Sequence, residues 1–207
     1  MRSRAIGDRA AFQSRLEAAL EQANGRQAEA PASAWTVTLG DEFQALFNTP
    51  EAFPLAIERI CHALVGHGVR FGVGHGLLTT PLKATAVGMD GPCFHHARSA
   101  VEAARRRRRS IVVETEAGVA DRVSDVWNLA LTVVRARTAR QAELVEAYRA
   151  YGSQAHAAER LGVTQGTVSS ELRRAHFAEL QPVLAHLPAM LAEAAEGDPA
   201  LVMGGAP

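Results

Sequence analysis

A mixed α/β layer followed by an all-α module is the fold class the sequence predicts, and three patterns predict it. Residues 12–114 alternate helical and extended periodicity in the order helix, hairpin, helix, strand, helix, strand. From Asp125 onward the extended periodicity stops and apolar residues recur only at three-to-four spacing. Within that second half, two small residues, a glycine and two aliphatics stand at the spacing of two helices joined by a sharp turn.

Phe12, Leu16, Ala19, Leu20 and Ala23 share one helical face, and Asn24-Gly25 ends that helix. Trp35, Val37 and Leu39 alternate with Thr36 and Thr38 as a half-buried strand, and Phe43 to Phe47 pairs back across Gly40-Asp41-Glu42. Thr49 is expected to cap a second helix with Pro50 at its first position, running to Leu64. Val69 to Leu78 reads as a strand with Gly72, Gly74 and Gly76 on one face, a bare row that a helix backbone or a ligand approaches closely. A helix over residues 95–107 and a strand over residues 110–114 follow. This order fits a ferredoxin-like, palm-type sheet, provided that one more strand precedes the first helix. Residues 1–11 have no apolar run, so residues 1–120 are expected to form a palm-like domain lacking its first strand. A connecting helix over 121–137, an all-α helix-turn-helix domain over 138–181, and a C-terminal helix with a disordered tail over 182–207 complete the division, the tail starting at Gly197.

Composition narrows the function classes. The 207 residues carry 22 Lys+Arg against 22 Asp+Glu, 47% are hydrophobic and 5% aromatic, so aliphatic and alanine packing must dominate two modest cores. Cys61 and Cys93 are too few for a disulfide framework or a four-thiolate zinc site, which fits a reducing cytoplasm. No run reaches the roughly 18 apolar residues of a membrane span, and the Arg-rich start lacks a secretory apolar segment. A soluble cytoplasmic protein without a membrane partner is the expectation.

The C-terminal half carries the sharpest motif. Ala157 and Ala158 let two helices cross closely, Gly162 suits the left-handed turn, Thr164 can cap the next helix, and Val168 and Leu172 anchor it. That second helix then presents Thr164, Gln165, Thr167, Ser169, Ser170, Arg173 and Arg174 as donors for the phosphates and base edges of double-stranded DNA. Residues 135–181 hold seven arginines against five glutamates, a modest basic excess. One short reading helix discriminates poorly, so a homodimer on two half-sites is expected. The arginine run over residues 105–109 reads as a solvated helix end.

Three resemblances follow from quoted motifs. T-A-R-Q-A-E-L-V-E-A-Y and A-A-E-R-L-G-V-T-Q-G-T-V-S-S-E-L-R-R-A resemble the DNA-binding module of sigma-factor region four and of two-component regulators. S-R-A-I-G-D-R-A-A-F-Q-S-R-L, T-L-G-D-E-F-Q-A-L, R-F-G-V-G-H-G and D-G-P-C-F-H-H-A-R-S-A, with that module after them, resemble the SatD family of bacterial proteins nearly to Leu180. This resemblance implies an intracellular regulatory protein associated with DNA. V-T-L-G-D-E-F, R-F-G-V-G-H-G and H-H-A-R-S-A-V-E-A-A-R are more distantly similar to GGDEF-type nucleotidyl cyclases, in which Asp41 would stand at a metal carboxylate holding Mg or Mn. Two-metal chemistry needs a second acid from a separate strand. None stands in register, since Ile6-Gly7-Asp8 falls beyond the opening strand, and Leu39 replaces the first glycine of the cyclase turn. Binding rather than catalysis is therefore expected, and no catalytic residue is assigned.

The candidate ligand-binding residues are Asp41 and Glu42 in the acidic turn, and Asp90, His95 and Arg98, which put an acid, an imidazole and a guanidinium at one helix start and so suit an anion or a nucleotide. The preferred reading is a DNA-binding transcriptional regulator of the SatD type whose α/β domain senses a nucleotide or partner. The alternatives are a metal-dependent nucleotide-processing enzyme using the acidic turn, and an adaptor whose last module docks on the transcription machinery.

Overall fold

The computed structural model describes residues 6–25, 30–195 and 201–206. Helix α1 (Ile6–Asn24) leads to a hairpin of β1 (Ser33–Leu39) and β2 (Glu42–Phe47), then α2 (Phe53–Ala63), β3 (Arg70–His75), α3 (Pro92–Arg107) and β4 (Ile111–Thr115). A short β5 (Gly118–Val119) turns into α4 (Asp121–Ala136), after which come α5 (Ala139–Tyr151), α6 (Gln154–Leu161), α7 (Gln165–Arg174), α8 (Phe177–Ala195) and β6 (Leu201–Ala206). The molecule is thus a mixed α/β body followed by a mainly helical region.

The six strands make one sheet in the order β1-β2-β6-β3-β4-β5. Only β3 and β4 run parallel. Strand alternation divides the side chains between two faces. Phe71, Val73, Ile111 and Val113 pack on one face into a core with α1, α2, α4 and α8, where Phe53 stacks on Trp127 at 5.4 Å. On the other face Gly72 and Gly74 meet the backbone of α3. A Cβ on Gly74 would lie 2.2 Å from both Ala97 N and Cys93 O, so the bare row exists to let a helix lie directly on the strand.

Several boundaries differ from those read off the sequence. Helix α2 starts at Phe53, with Ala52 at its N-cap and Pro54 in its first turn; Thr49 caps nothing, because the chain stays irregular through residues 48–52. Strand β3 stops at His75, and α3 starts at Pro92. Helix α4 is no mere connector: Trp127 and Leu131 are fully buried in the main core.

The larger correction concerns the open place in the sheet and the expected disordered tail. Residues 201–206 form β6, which lies between β2 and β3 and runs antiparallel to both. Leu201–Ala206 therefore satisfies the backbone donors and acceptors that those two inner edges would otherwise leave unpaired. Its six residues include Gly204-Gly205, carry little strand signal of their own, and pair with partners some 130 to 160 positions away in sequence, beyond the reach of any periodicity.

Helices α5, α6 and α7 close around a second core of Leu144, Val145, Ala157, Ala158, Val168 and Leu172. Helix α8 then returns to the first core through Leu180, Leu184, Leu187 and Leu191. Among the described residues no helix is long and apolar enough to cross a membrane.

Candidate functional site

The geometry of α6 and α7 follows from their caps. Ser153 Oγ accepts from His156 N, and Gly162 ends α6 in the left-handed conformation at φ 64° and ψ 35°. Thr164 Oγ1 then accepts from Thr167 N at the start of α7. Caps of this kind contribute about 1 kcal/mol each, so the turn between the helices is set locally before tertiary packing adds to it.

With Val168 and Leu172 buried, the opposite face of α7 is open to solvent. The seven side chains read as DNA contacts divide there into two sets. Thr164 and Thr167 hydroxyls bond each other at 2.9 Å, Ser170 Oγ donates to Thr167 O, and Arg174 pairs with Glu171 at 2.7 Å. Gln165, Ser169 and Arg173 have no hydrogen bond or ion pair among the described residues. They are four positions apart in succession, so they lie in one line along the helix.

The remaining arginines of this half are engaged. Arg140 meets Glu143 at 2.5 Å, and Arg160 donates to Tyr151 Oη at 3.1 Å. Arg137 and Arg149 join a network that sequence reasoning missed. Glu58 on α2 is wholly buried; it accepts from Arg137, which is 1% exposed, and from Arg149 at 2.8 Å. Glu146 accepts from Arg59 at 2.8 Å and from Arg149 at 3.1 Å, while Arg137 Nε reaches Ala175 O at 2.8 Å. These charges link α2 and the end of α4 to α5 and to the end of α7. Burial works to raise the Glu146 carboxyl, but the charges of Arg59 and Arg149 overcome it and hold the group below its ordinary value. One turn after Glu58, His62 is tucked beside the network with both ring nitrogens lacking a hydrogen-bond partner, and burial pulls its pKa down. The one available signal was Glu58 itself, a charge between Ile57 and Ile60 on an apolar helix.

In the α/β body, Glu42, Asp90, His95 and Arg98 line one cleft between the hairpin and α3. Asp41 stands in the hairpin turn next to it and is not part of the lining. Glu42 approaches Arg105 at 3.8 Å, and His95 meets Asp90 at 3.1 Å. Among the described residues no three His, Cys, Asp or Glu side chains gather so as to hold a metal ion. Both thiols are buried, which pushes Cys61 and Cys93 up to about 11 and leaves them protonated at neutral pH. The run after Arg105 is largely paired within the body: Arg106 with Glu102, Arg107 with Asp121 at 2.7 Å and Arg109 with Asp125 at 2.6 Å.

Compared with known proteins, residues 1–174 match the model of the SatD family. No curated protein and no solved structure matches the chain.

Proposed function

The chain belongs to the SatD family, and on that premise we propose that it is a DNA-binding transcriptional regulator, with a palm-type α/β body as sensor and α6–α7 as a helix-turn-helix. The observation that carries this reading is the line Gln165, Ser169 and Arg173 on the open face of α7, all without internal partners among the described residues. A ten-residue helix is about 15 Å long and fits the roughly 12 Å wide major groove of B-DNA. An amide, a hydroxyl and a guanidinium along its outer edge supply the donors and acceptors that base edges and phosphates require. Thr164, Thr167, Ser170 and Arg174 shape and support that edge, with backbone N–H groups at the start of α7 available to a phosphate. A homodimer would present two such edges to a palindromic site.

Selection from a random duplex pool, followed by affinity measurements on the selected site, tests this. Gln165→Ala and Arg173→Ala should each weaken binding by about 1–3 kcal/mol while leaving the circular-dichroism spectrum and Tm unchanged, since neither side chain holds the fold. Wild-type affinity in both variants would refute the assignment of α7 as the reading helix.

A further inference from the structure

The cleft beside the hairpin has the size and charge pattern of a ligand site of a particular kind. Its volume is about 250 Å³, just below the range of roughly 300–1,000 Å³ typical of pockets for drug-sized molecules. Phe94, Arg98, Val101 and Arg105 line one wall and share one face of α3, being three or four positions apart. Thr38, Glu42 and Phe43 form the facing wall. The loop over the cleft is tied to the hairpin: Ser33 Oγ donates to Lys83 O at 2.5 Å, Ala34 N to Ala84 O at 2.8 Å, and Gln44 Nε2 to Ala86 O at 3.1 Å.

The basic side chains in the cleft are not equivalent. Arg105 leans toward Glu42 and His95 toward Asp90, whereas Arg98 has neither an ion pair nor a hydrogen bond among the described residues. An exposed, unpaired guanidinium with a planar fork of donors matches the oxygens of a phosphate. Beside it the half-buried Phe94 ring offers a face for a flat heterocycle, and Glu42 and Thr38 offer acceptors to sugar hydroxyls or base N–H groups. The same cleft also holds the carboxylates of Glu42, Asp90 and Glu102. Each of these acids already faces a basic group, Glu42 with Arg105, Asp90 with His95 and Glu102 with Arg106, which leaves Arg98 to meet a phosphate, whereas the larger charge of a metal-free triphosphate far exceeds what one guanidinium offsets.

We propose that this cleft binds a nucleoside monophosphate, with the phosphate on Arg98 and the base against Phe94. This rests on the reading of the α/β body as a sensor and is independent of whether α7 reads DNA.

Isothermal titration of the full chain, without DNA or divalent cations, tests it with AMP, GMP, CMP and UMP, the matching nucleosides, inorganic phosphate and ATP. At least one monophosphate should bind saturably, and its nucleoside and inorganic phosphate should each bind about tenfold or more weakly, the loss expected for one charge-assisted contact. Arg98→Ala should lose the same factor, while Arg98→Lys should recover part of it. Arg98 is exposed, so both variants should keep the wild-type Tm. If either unfolds, the comparison of nucleotide with nucleoside on the unaltered protein still decides. Failure of all four monophosphates to bind at millimolar concentration, unchanged affinity in Arg98→Ala, or tighter binding of metal-free ATP would overturn the proposal. DNA binding lost with ligand binding intact would instead count against the helix-turn-helix reading alone.

Discussion

Replacing Glu58 by alanine is predicted to destabilise the protein more than any single change on its surface. Glu58 is 0% exposed and is the only carboxylate within ion-pair distance of Arg137 among the described residues; that guanidinium, 1% exposed, also has a second nitrogen, Nη2, without any partner. Arg149 keeps Glu146, so the penalty falls mainly on Arg137. Removing one member of a buried pair typically costs about 3–5 kcal/mol, because the other charge is left in a poorly polarisable environment. Against a total stability of roughly 5–15 kcal/mol this is a large fraction. With a urea m-value near 2–3 kcal/mol per M, the midpoint should fall by about 1–2 M in equilibrium unfolding followed by far-UV circular dichroism. The helical unit has a separate core, so weakening this link should also let it unfold ahead of the α/β body, and the transition should broaden or split. The double variant Glu58→Leu with Arg137→Met, which removes both charges, should recover most of the loss. A single-variant loss below about 1 kcal/mol, the range of a solvated surface pair, would refute the reasoning.

Three further outcomes follow from the geometry. Burial, the largest influence on His62, places its folded pKa below the ordinary 6.5, with Arg137 and Arg149 acting in the same direction and Glu58 and Glu146 against it. The unfolded chain therefore takes up a proton first, so stability should be level above about pH 6.5 and decline below it; His62→Leu should flatten that decline, leaving the separate loss below about pH 4.5 that protonation of Glu146 produces. Gly74→Ala should cost about 3 kcal/mol or more in Tm-based stability, since the added Cβ meets backbone and not a movable side-chain end. Gly162→Ala should cost about 1 kcal/mol from its left-handed backbone alone, as nothing within 4 Å obstructs the methyl group, and thermal unfolding would show it.

Most elements of the body can be read locally because each carries its own period. Phe12, Leu16 and Leu20 announce α1, and the glycine row at 72 and 74 announces a close approach to β3, which the backbone of α3 makes. The turn between α6 and α7 is legible for the same reason: Gly162, Thr164 and the two alanines act on neighbours a few residues away. What the sequence conceals is long-range. Strand β6 is defined by pairing with β2 and β3, and its composition suggests a tail. The Glu58 network joins residues up to 91 positions apart. In the cleft, the sequence indicates Asp90, His95 and Arg98 because they stand at one helix start; Phe94 and Arg105 become part of the same wall only once α3 faces the hairpin. Asp41 stands in the legible hairpin turn, beside the cleft rather than in its lining.

Equilibrium binding of the purified chain to labelled duplex DNA at low ionic strength tests the central claim most directly, with fluorescence anisotropy as the readout. The wild-type protein should bind, its affinity should fall as salt rises because phosphate contacts release counterions, and Arg173→Ala should bind more weakly. Absence of binding to duplexes of every composition at low salt would contradict the account.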